Sequence, residues 1–208
     1  TKEEIVILSG PSHAEEVSQK YPTTVVAASA DINHARDVQK LFSNNYFRVY
    51  SGNDVIGVEI GGAAKNIIAL AAGICHGLGY GDNTMAALVT RGLEEIIRLG
   101  TALGAKRATF SGLSGMGDLI VTAFSCHSRN RQVGVRIGKG EKLKDILSSM
   151  EMVAEGVETT RSIHFLSLKH NIEMPICEQV YRVLFEDISP RRGILELMGR
   201  ELVDEHSV

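Results

Sequence analysis

The sequence predicts a mainly α-helical protein, in which an all-helical domain (residues 54–208) follows an incomplete α/β region of about three strands (residues 1–53). Two observations indicate this fold class. Segments typical of strands and of helices alternate over the first fifty residues. After Asp54 the strand signals nearly vanish, while helical apolar periods continue. A chain of 208 residues is long enough for one large domain or two small ones.

The α/β region contains three strand-like and two helix-like segments. The first strand, "EIVILSG" (4–10), is continuously apolar and is therefore predicted to be buried. Ser12 is predicted to be the N-cap of the helix that follows, because Glu15 has the spacing of a capping box. The remaining segments are a strand, a helix and a strand, at 23–30, 32–43 and 46–52.

The helical domain is predicted to begin with two long helices, at 55–80 and 83–104. In the second, Glu94, Glu95 and Arg98 are assigned to the solvent-facing side. Gly112, Gly115 and Gly117 indicate a flexible loop. Shorter helices are predicted at 118–124, 128–137, 142–150, 157–170, 175–186 and 190–202, and all four prolines fall at boundaries of the predicted elements.

Composition excludes several classes of protein. A net charge of −3 provides no overall basic field for nucleic acid. Three cysteines without zinc-type spacing favour a reducing compartment, and no histidine pair suggests a metal site. The first residues do not resemble a signal peptide, and no uninterrupted apolar run reaches the roughly 18 residues of a membrane span. We therefore expect a cytoplasmic protein without a metal.

Lys65 lies in an almost wholly apolar segment, "EIGGAAKNIIALAAGI" (59–74). In a helix, this lysine shares a face with small and apolar residues: Val58, Gly61, Gly62, Ile68, Ala69 and Ala72. Two glycines within a helix cost roughly 1 kcal/mol each relative to alanine, which suggests the close approach of a backbone or ligand. Lys65 is either a general acid–base group in a recess or a lysine whose amine extends to solvent from a helix contact.

A second group of polar residues follows in "SGLSGMGDLIVTAFSCHSRNRQVG" (111–134). Asp118 opens a helix, as a ligand-binding residue or simply as a capping residue. Ser128 is a plausible N-cap, with Arg129 and Asn130 in the first turn. A helix N-terminus beside a guanidinium suits a phosphate or carboxylate, whereas the alternative for an arginine is a solvated face.

Two further segments are weaker candidates. The turn "SGPSH" (9–13) joins the first strand to its helix and could hold a polar ligand at the start of that helix. Glu155 is predicted to lie in a loop between helices, where it could contact a ribose or a neighbouring amide.

Four segments together resemble the bacterial form of the NAD(P)-dependent sn-glycerol-3-phosphate dehydrogenase family. They are "LSGPSHAEEV", "GGAAKNIIALAAGICHGLGYGDNTMAALVTRGLEEI", "GLSGMGDLIVTAFSCHSRNRQVG" and "EGVETTRSI". Each segment alone is weak, but their shared order through nearly the whole chain is specific. The resemblance implies that the first 53 residues are the end of a Rossmann-like domain. It also implies reduction of dihydroxyacetone phosphate to sn-glycerol 3-phosphate with NAD or NADP, supplying phospholipid synthesis.

The resemblance also implies roles for individual residues. Lys65 matches the family's catalytic lysine, which takes the alcohol proton during oxidation and returns it during reduction. It is counted among the substrate-binding positions, together with Gly10, Ser12, Asp118, Ser128, Arg129 and Asn130. The cofactor-binding positions are Ala14, Arg129, Val153 and Glu155. The implied partner is a small phosphorylated substrate, and a homodimer is expected from the apolar helices.

The sequence departs from the family at one feature. No G-x-G-x-x-G turn, which holds the pyrophosphate of the cofactor, occurs in the 208 residues. We therefore expect a fragment that alone neither binds NAD(P)H tightly nor turns over. The alternatives are another hydroxyacid or phosphosugar dehydrogenase of the same superfamily, and a helical dimerisation module without catalysis.

Overall fold

The structure is a computed structural model that describes residues 5–150 and 154–205. It contains strands in the first 52 residues and helices thereafter, which confirms the predicted fold class. The strands are β1 (Ile7–Ser9), β2 (Thr23–Ala28) and β3 (Phe47–Gly52). The helices are α1 (Ala14–Ser18), α2 (Ile32–Phe42), α3 (Val55–Gly77), α4 (Asp82–Ala102), α5 (Arg107–Phe110), α6 (Asp118–Phe124), α7 (Arg129–Gly138), α8 (Leu143–Ser148), α9 (Glu155–Lys169), α10 (Pro175–Phe185) and α11 (Pro190–Met198).

The described residues form two compact units. The first contains residues 5–65 and 96–122, and the second contains residues 66–95, 123–150 and 154–205. Helices α3 and α4 each contribute residues to both units. The sequence boundary placed after residue 53 lies just before the first residue of α3.

The sheet of the first unit has the strand order β1-β2-β3. Strand β2 is parallel to β3, with Val25 opposite Val49, and antiparallel to β1. The side chains of Val25, Ala27 and Val49 form a core with Val6, Val38 and Phe47. The prediction that the first strand is buried was wrong, because among the described residues β1 pairs only with β2, and Leu8 is 41 % exposed. An edge strand next to solvent does not need to bury every apolar residue.

Helix α1 begins later than predicted, and its N-cap is His13 rather than Ser12. The Ser12 hydroxyl instead donates to the carbonyl oxygen of Gly10, at 3.1 Å. Short polar side chains often bond to their own local backbone, and this bond takes Ser12 out of the capping position. The predicted capping box is therefore absent from this described segment.

Helix α5 and the turn after it were not predicted. Leu113–Gly117 forms a single turn of π-helix that leads directly into α6, where the sequence indicated a flexible loop. A Cβ on Gly115 would overlap the backbone of Phe110. The glycines therefore allow tight packing of this turn rather than flexibility.

Asp54 connects the first turns of α3 and α5. One carboxylate oxygen accepts a hydrogen bond from the backbone N–H of Gly57, at 3.0 Å. The other accepts from the Lys106 N–H at 2.9 Å and the Thr109 hydroxyl at 2.5 Å. A single side chain therefore satisfies orphan donors at the N-termini of two helices.

In the second unit, α3 and α7 pack through glycines. The pairs Gly73/Gly77 and Gly134/Gly138 have the same four-residue spacing, and a Cβ on any of them would overlap the backbone of the other helix. Because these helices meet backbone to backbone, the start of α7 has a fixed position along the second half of α3.

Glu95 is 1 % exposed, which contradicts its prediction as a solvent-facing residue. Its carboxylate accepts from the backbone N–H groups of Ile176 and Cys177, at 2.7 and 3.1 Å. Glu95 therefore caps α10, whose own N-cap residue makes no side-chain bond. A buried carboxylate is tolerated when orphan N–H groups at a helix N-terminus bind it.

Helix α3 is long and apolar enough to cross a membrane by length and composition. Within the chain, 61 % of its most apolar window is buried. Core packing therefore accounts for the hydrophobicity of this helix.

The three cysteines are free thiols, with Cys75 and Cys177 buried and Cys126 exposed. Burial raises the pKa of the Cys75 thiol to about 11. Burial, together with the negative charges of Glu95 and Glu178, raises the pKa of Cys177 as well. Neither buried thiol is ionised near neutral pH, so neither is a nucleophile.

We predict that Asp54→Ala lowers the free energy of unfolding by about 2 to 4 kcal/mol, because three donors at two helix ends lose their acceptor. Burial opposes ionisation of Asp54, but the hydrogen bonds from Thr109, Gly57 and Lys106 outweigh it and hold the pKa of the carboxyl below its ordinary value. The contribution of Asp54 is therefore complete above the pKa in the unfolded chain and is lost as pH falls through the lower folded pKa.

Urea unfolding from pH 2 to 7 measures this effect. The matched control is Asp31→Ala, which removes an N-cap carboxylate with one bond, to the Asn33 N–H at 2.8 Å, and should cost about 1 kcal/mol. Equal losses for the two variants would show that Asp54 is an ordinary cap.

Candidate functional site

Lys65 and Asp118 form an ion pair in the first unit, with 2.5 Å between Nζ and Oδ2. The Lys65 side chain is 19 % exposed and that of Asp118 is 5 % exposed. Lys65 therefore does not extend into bulk solvent, and its ammonium group lies against a buried carboxylate. One of its three hydrogens serves this pair, which leaves the others for a ligand.

The glycines before Lys65 make room for the chain segments that border this pair. A Cβ on Gly61 would lie 2.7 Å from the carbonyl oxygen of Ser114, in the π-helical turn. A Cβ on Gly62 would lie 3.3 Å from the Ser9 hydroxyl oxygen. The close approach predicted from two helical glycines is therefore made by backbone at one position and by a side chain at the other.

The turn between β1 and α1 lies beside the same pair. Gly10 has a φ of +140° and a Cβ there would lie 3.0 Å from the Cα of Val25, so a side chain is excluded twice. Pro11 is next to Gly117, with 3.6 Å between its Cδ and the position of a Cβ on that glycine. Gly10 and Ser12 are thereby brought close to the residue preceding Asp118. Their role in substrate binding stays a prediction.

The Asp118 carboxyl is held between opposing influences. Burial raises its pKa above the ordinary value, while the charge and hydrogen bond of Lys65 lower it in part. Thr122 contributes in the same direction, since its hydroxyl lies 3.2 Å from Oδ1 and 2.6 Å from the backbone oxygen of Asp118. His13 adds a weaker favourable charge interaction.

His13 was missed as a neighbour of Asp118. The sequence placed it directly after the "GPS" turn, next to the predicted site residues. Nothing in the periodicity of that segment indicated that the turn reaches Asp118.

The second predicted group, around Ser128 and Asn130, lies in the second unit. Ser128 is the N-cap of α7, as predicted, and its hydroxyl accepts from the Arg131 N–H at 3.3 Å. Asn130 is 8 % exposed, and its Oδ1 accepts from the backbone N–H of Gly156 at 2.9 Å. The start of α7 therefore meets the start of α9.

Asn66 is close to this meeting point. A Cβ on Gly156 would lie 2.9 Å from the backbone oxygen of Asn66 and 2.7 Å from Oδ1 of Asn130. Asn66 is 7 % exposed, and among residues 5–150 and 154–205 its side-chain amide has no hydrogen-bond partner. Two buried amides therefore lie near Gly156, a residue that the sequence did not single out.

The remaining predicted cofactor residues have separate positions. Ala14 is the first residue of α1 and is exposed. Glu155 is exposed and is the first residue of α9 rather than part of a loop, which corrects that prediction. Val153 lies outside the described residues. Within the described ranges, no group of three or more His, Cys, Asp or Glu residues could hold a metal ion.

A cavity of about 430 Å³ in the first unit contains none of the predicted site residues. Its wall includes Val58, Leu113 and Ser114, together with the Asp54–Lys106–Thr109 cluster. The polar groups of Asp54 and the backbone of Lys106 already bond to each other and to Thr109. Neither Lys65 nor Asp118 lines this cavity, so its polar groups do not contribute to the ion pair.

Comparison with known proteins gives matches over most of the chain. Residues 54–195 match the family model of the NAD-dependent glycerol-3-phosphate dehydrogenase C-terminus, and residues 1–35 match the model of its N-terminus. The glycerol-3-phosphate dehydrogenase [NAD(P)+] of Lysinibacillus sphaericus is 59 % identical over 198 residues, which are 95 % of this chain and 59 % of that protein. The Bacillus subtilis protein of the same name is 57 % identical over 199 residues, 96 % of this chain and 58 % of that one.

A solved structure gives the same result. The crystal structure of glycerol-3-phosphate dehydrogenase from Coxiella burnetii superposes with a TM-score of 0.91 at 42 % identity, over 94 % of this chain and 60 % of that one. The chain thus spans less than two thirds of the length of these relatives.

We predict that Lys65→Met raises the pKa of Asp118 further, because the charge that opposes the effect of burial is removed. The folded pKa of Asp118 already lies above its unfolded value, so the unfolded chain binds fewer protons in that interval. The contribution of Asp118 to the free energy of unfolding therefore falls as pH rises through the interval, which becomes wider in the variant.

The pKa is measured from the ¹³Cγ shift of Asp118 against pH. Lys40→Met is the control, because Lys40 pairs with the exposed Asp37 at 3.7 Å in the same unit. An unchanged or lower pKa of Asp118 in Lys65→Met would contradict the assignment of this ion pair.

Proposed function

We propose that this chain, which belongs to the NAD-dependent glycerol-3-phosphate dehydrogenase family, provides the proton-transferring and phosphate-binding residues for interconversion of dihydroxyacetone phosphate and sn-glycerol 3-phosphate. The observation that carries the proposal is the Lys65–Asp118 ion pair, with 2.5 Å between Nζ and Oδ2 in a mostly buried environment. An ammonium group held in this way is suited to move one proton to or from a substrate oxygen.

Lys65 has the central role in the proposed reaction. During reduction, its ammonium group donates a proton to the carbonyl oxygen at carbon 2 as that carbon receives a hydride, and a C–H and an O–H bond form. During oxidation, the neutral amine takes the hydroxyl proton as the hydride leaves. A fixed donor also polarises the carbonyl before transfer, which lowers the barrier in the reducing direction.

Asp118 and Thr122 are assigned to hold Lys65 in place. The carboxylate fixes the direction of one N–H bond, so that the remaining hydrogens have a defined orientation. The Thr122 hydroxyl supports the carboxylate from one turn further along α6. Loss of either residue should therefore change the position of the Lys65 amine, while the amine itself remains present.

Ser128, Arg129 and Asn130 are assigned to the substrate phosphate. This assignment is supported by the geometry of their own unit, in which Ser128 caps α7 and Asn130 lies in its first turn. The free N–H groups of a helix start, a guanidinium and a side-chain amide are all donors, and phosphate oxygens are acceptors. Gly10 and Ser12 are assigned to substrate binding from the turn beside Asp118.

A nicotinamide cofactor, when bound, supplies or accepts the hydride. We assign Ala14, Arg129, Val153 and Glu155 of this chain to it. The small side chain of Ala14 leaves space at the exposed first turn of α1. Glu155 is exposed and, among the described residues, has no ion-pair partner, so its carboxylate suits a ribose hydroxyl. We further propose that the reaction takes place in the cytoplasm, supplies glycerophospholipid synthesis and is carried out by a homodimer.

We predict that a hybrid protein, in which this chain replaces the matched segment of the Lysinibacillus sphaericus relative, reduces dihydroxyacetone phosphate with NADH or NADPH. In the hybrid, Lys65→Met should lower kcat by about 100- to 10,000-fold, the usual contribution of a general acid. The loss of absorbance at 340 nm as NADH or NADPH is oxidised measures the activity of the hybrid and the kcat of the variant.

Lys40→Met in the same hybrid is the matched control and should leave kcat unchanged. A Lys65→Met hybrid with full kcat would contradict the catalytic role and favour a non-catalytic helical module. Activity on unphosphorylated 2-hydroxyacids, but not on dihydroxyacetone phosphate, would instead indicate another dehydrogenase of the superfamily. The 208-residue chain, assayed separately, tests the expectation that it does not turn over alone.

A further inference from the structure

We propose that Gly156 is a positioning residue, whose backbone N–H and lack of a side chain hold the Asn130 amide with its two Nδ2 hydrogens available to a phosphate ligand. This inference rests on the proposed function, because it concerns how one of the assigned phosphate-binding residues is oriented. All the contacts that support it lie within the second unit.

The start of α9 lacks a cap of its own. Its N-cap residue is Ala154, whose methyl side chain makes no capping bond. Gly156 is the second residue of the helix, and its N–H therefore has no acceptor within α9. Oδ1 of Asn130 provides that acceptor from another helix, at 2.9 Å in a buried setting.

This bond also decides which way the Asn130 amide faces. A backbone N–H can donate only to the oxygen of a side-chain amide, so the oxygen must point toward Gly156 and the nitrogen must point away. A free asparagine could turn its amide by 180° and present an acceptor to a phosphate. The contact with α9 removes that orientation, in which oxygen would face a negatively charged group.

The nitrogen side of the amide is left for a ligand. Within the part of the chain that the structure describes, Nδ2 of Asn130 has no hydrogen-bond partner, although the residue is only 8 % exposed. An oxygen atom of a ligand could accept a hydrogen bond from this amide nitrogen. The side chain belongs to the first turn of α7, where Ser128 is the N-cap. A phosphate monoester is the ligand class whose oxygens suit these donors.

Only glycine is compatible with this arrangement. A Cβ at position 156 would lie 2.7 Å from Oδ1 and 3.0 Å from Cγ of Asn130, and 2.9 Å from the backbone oxygen of Asn66. The backbone of Asn66 belongs to the buried α3, so it yields less readily than a side chain. The Asn130 amide is therefore the group that an alanine at position 156 would displace.

The test measures the affinity of the full 208-residue chain for inorganic phosphate, using the side-chain Nδ2 resonances of Asn130 in ¹⁵N-correlated NMR spectra. In the unsubstituted chain, these resonances should shift on titration with phosphate. Gly156→Ala should weaken phosphate binding by about tenfold or more, the effect of losing one hydrogen bond to a charged group. The control is Gly193→Ala in the same unit, where the added Cβ comes no closer than 3.4 Å to Gln179 and the affinity should not change.

A second variant separates orientation from folding. Asn130→Asp keeps an acceptor for the Gly156 N–H but replaces the Nδ2 donors with a charged oxygen. It should retain the melting temperature of the unsubstituted chain and lose phosphate binding, whereas a purely structural role for Asn130 predicts no loss. Unchanged affinity in Gly156→Ala, or the absence of any phosphate-induced shift of Asn130 in the unsubstituted chain, would overturn the proposal.

The two proposals fail in different ways. A Lys65→Met hybrid with full kcat would contradict the proposed function, but it would not affect the result of the phosphate titration. If the hybrid is active and Gly156→Ala leaves its KM for dihydroxyacetone phosphate unchanged, only the positioning role of Gly156 is contradicted. The expected result is an increase in KM of about tenfold, with kcat changed much less.

Discussion

The ion pair between Lys65 and Asp118 is the interaction on which the first unit depends. It places a positive charge in an apolar helix, and such a charge is tolerated only when a partner of opposite charge is fixed beside it. The partner is fixed by the π-helical turn that precedes α6 and by Thr122 within that helix. That turn can approach α3 because Gly61 has no side chain. The free-energy cost of Gly61 within the helix is thus connected to the position of the Asp118 carboxylate.

Burial and charge act against each other within this pair. A carboxyl as buried as that of Asp118 would favour its neutral form, and the ammonium of Lys65 favours the ionised form. The pKa of the Asp118 carboxyl therefore stays above its ordinary value even with the ammonium group of Lys65 in contact with it. A fully exposed pair would have no such balance, because solvent would stabilise both charges independently of each other.

The elements that the sequence predicted well are those with a strong internal period. Helices α3, α4, α7, α10 and α11 begin within about two residues of their predicted starts, since apolar spacing and capping or proline signals all agree there. The errors at Glu95 and Ser12 occur where a side chain makes a contact other than the one that its local spacing predicts. Glu95 has the sequence environment of a surface residue, but the start of α10 needs an acceptor. Ser12 has the spacing of a cap, but a carbonyl two residues away takes its hydrogen bond.

The candidate site was predictable to the same extent. The sequence singled out Lys65, Asp118 and the start of α7 individually, and only the resemblance to a family linked them. Neither His13 nor Gly156 was found, because each acts through a contact with a segment far away in the chain.

Gly156 shows why such residues cannot be identified from the periodicity and composition of the sequence. Its contribution is an N–H and an empty space, and neither is visible in the type of residue alone. A helix whose N-cap residue is alanine, as in α9, has no side-chain oxygen of its own for capping, and another residue has to provide it. When the oxygen belongs to an asparagine, the capping bond also fixes the direction of the NH₂ group, since the two ends of an amide differ in hydrogen bonding. A side chain that accepts a hydrogen bond from a free N–H group at a helix start can therefore be oriented for ligand binding by the same bond, without a further side chain. Missing caps are consequently useful places to look for residues that position a ligand.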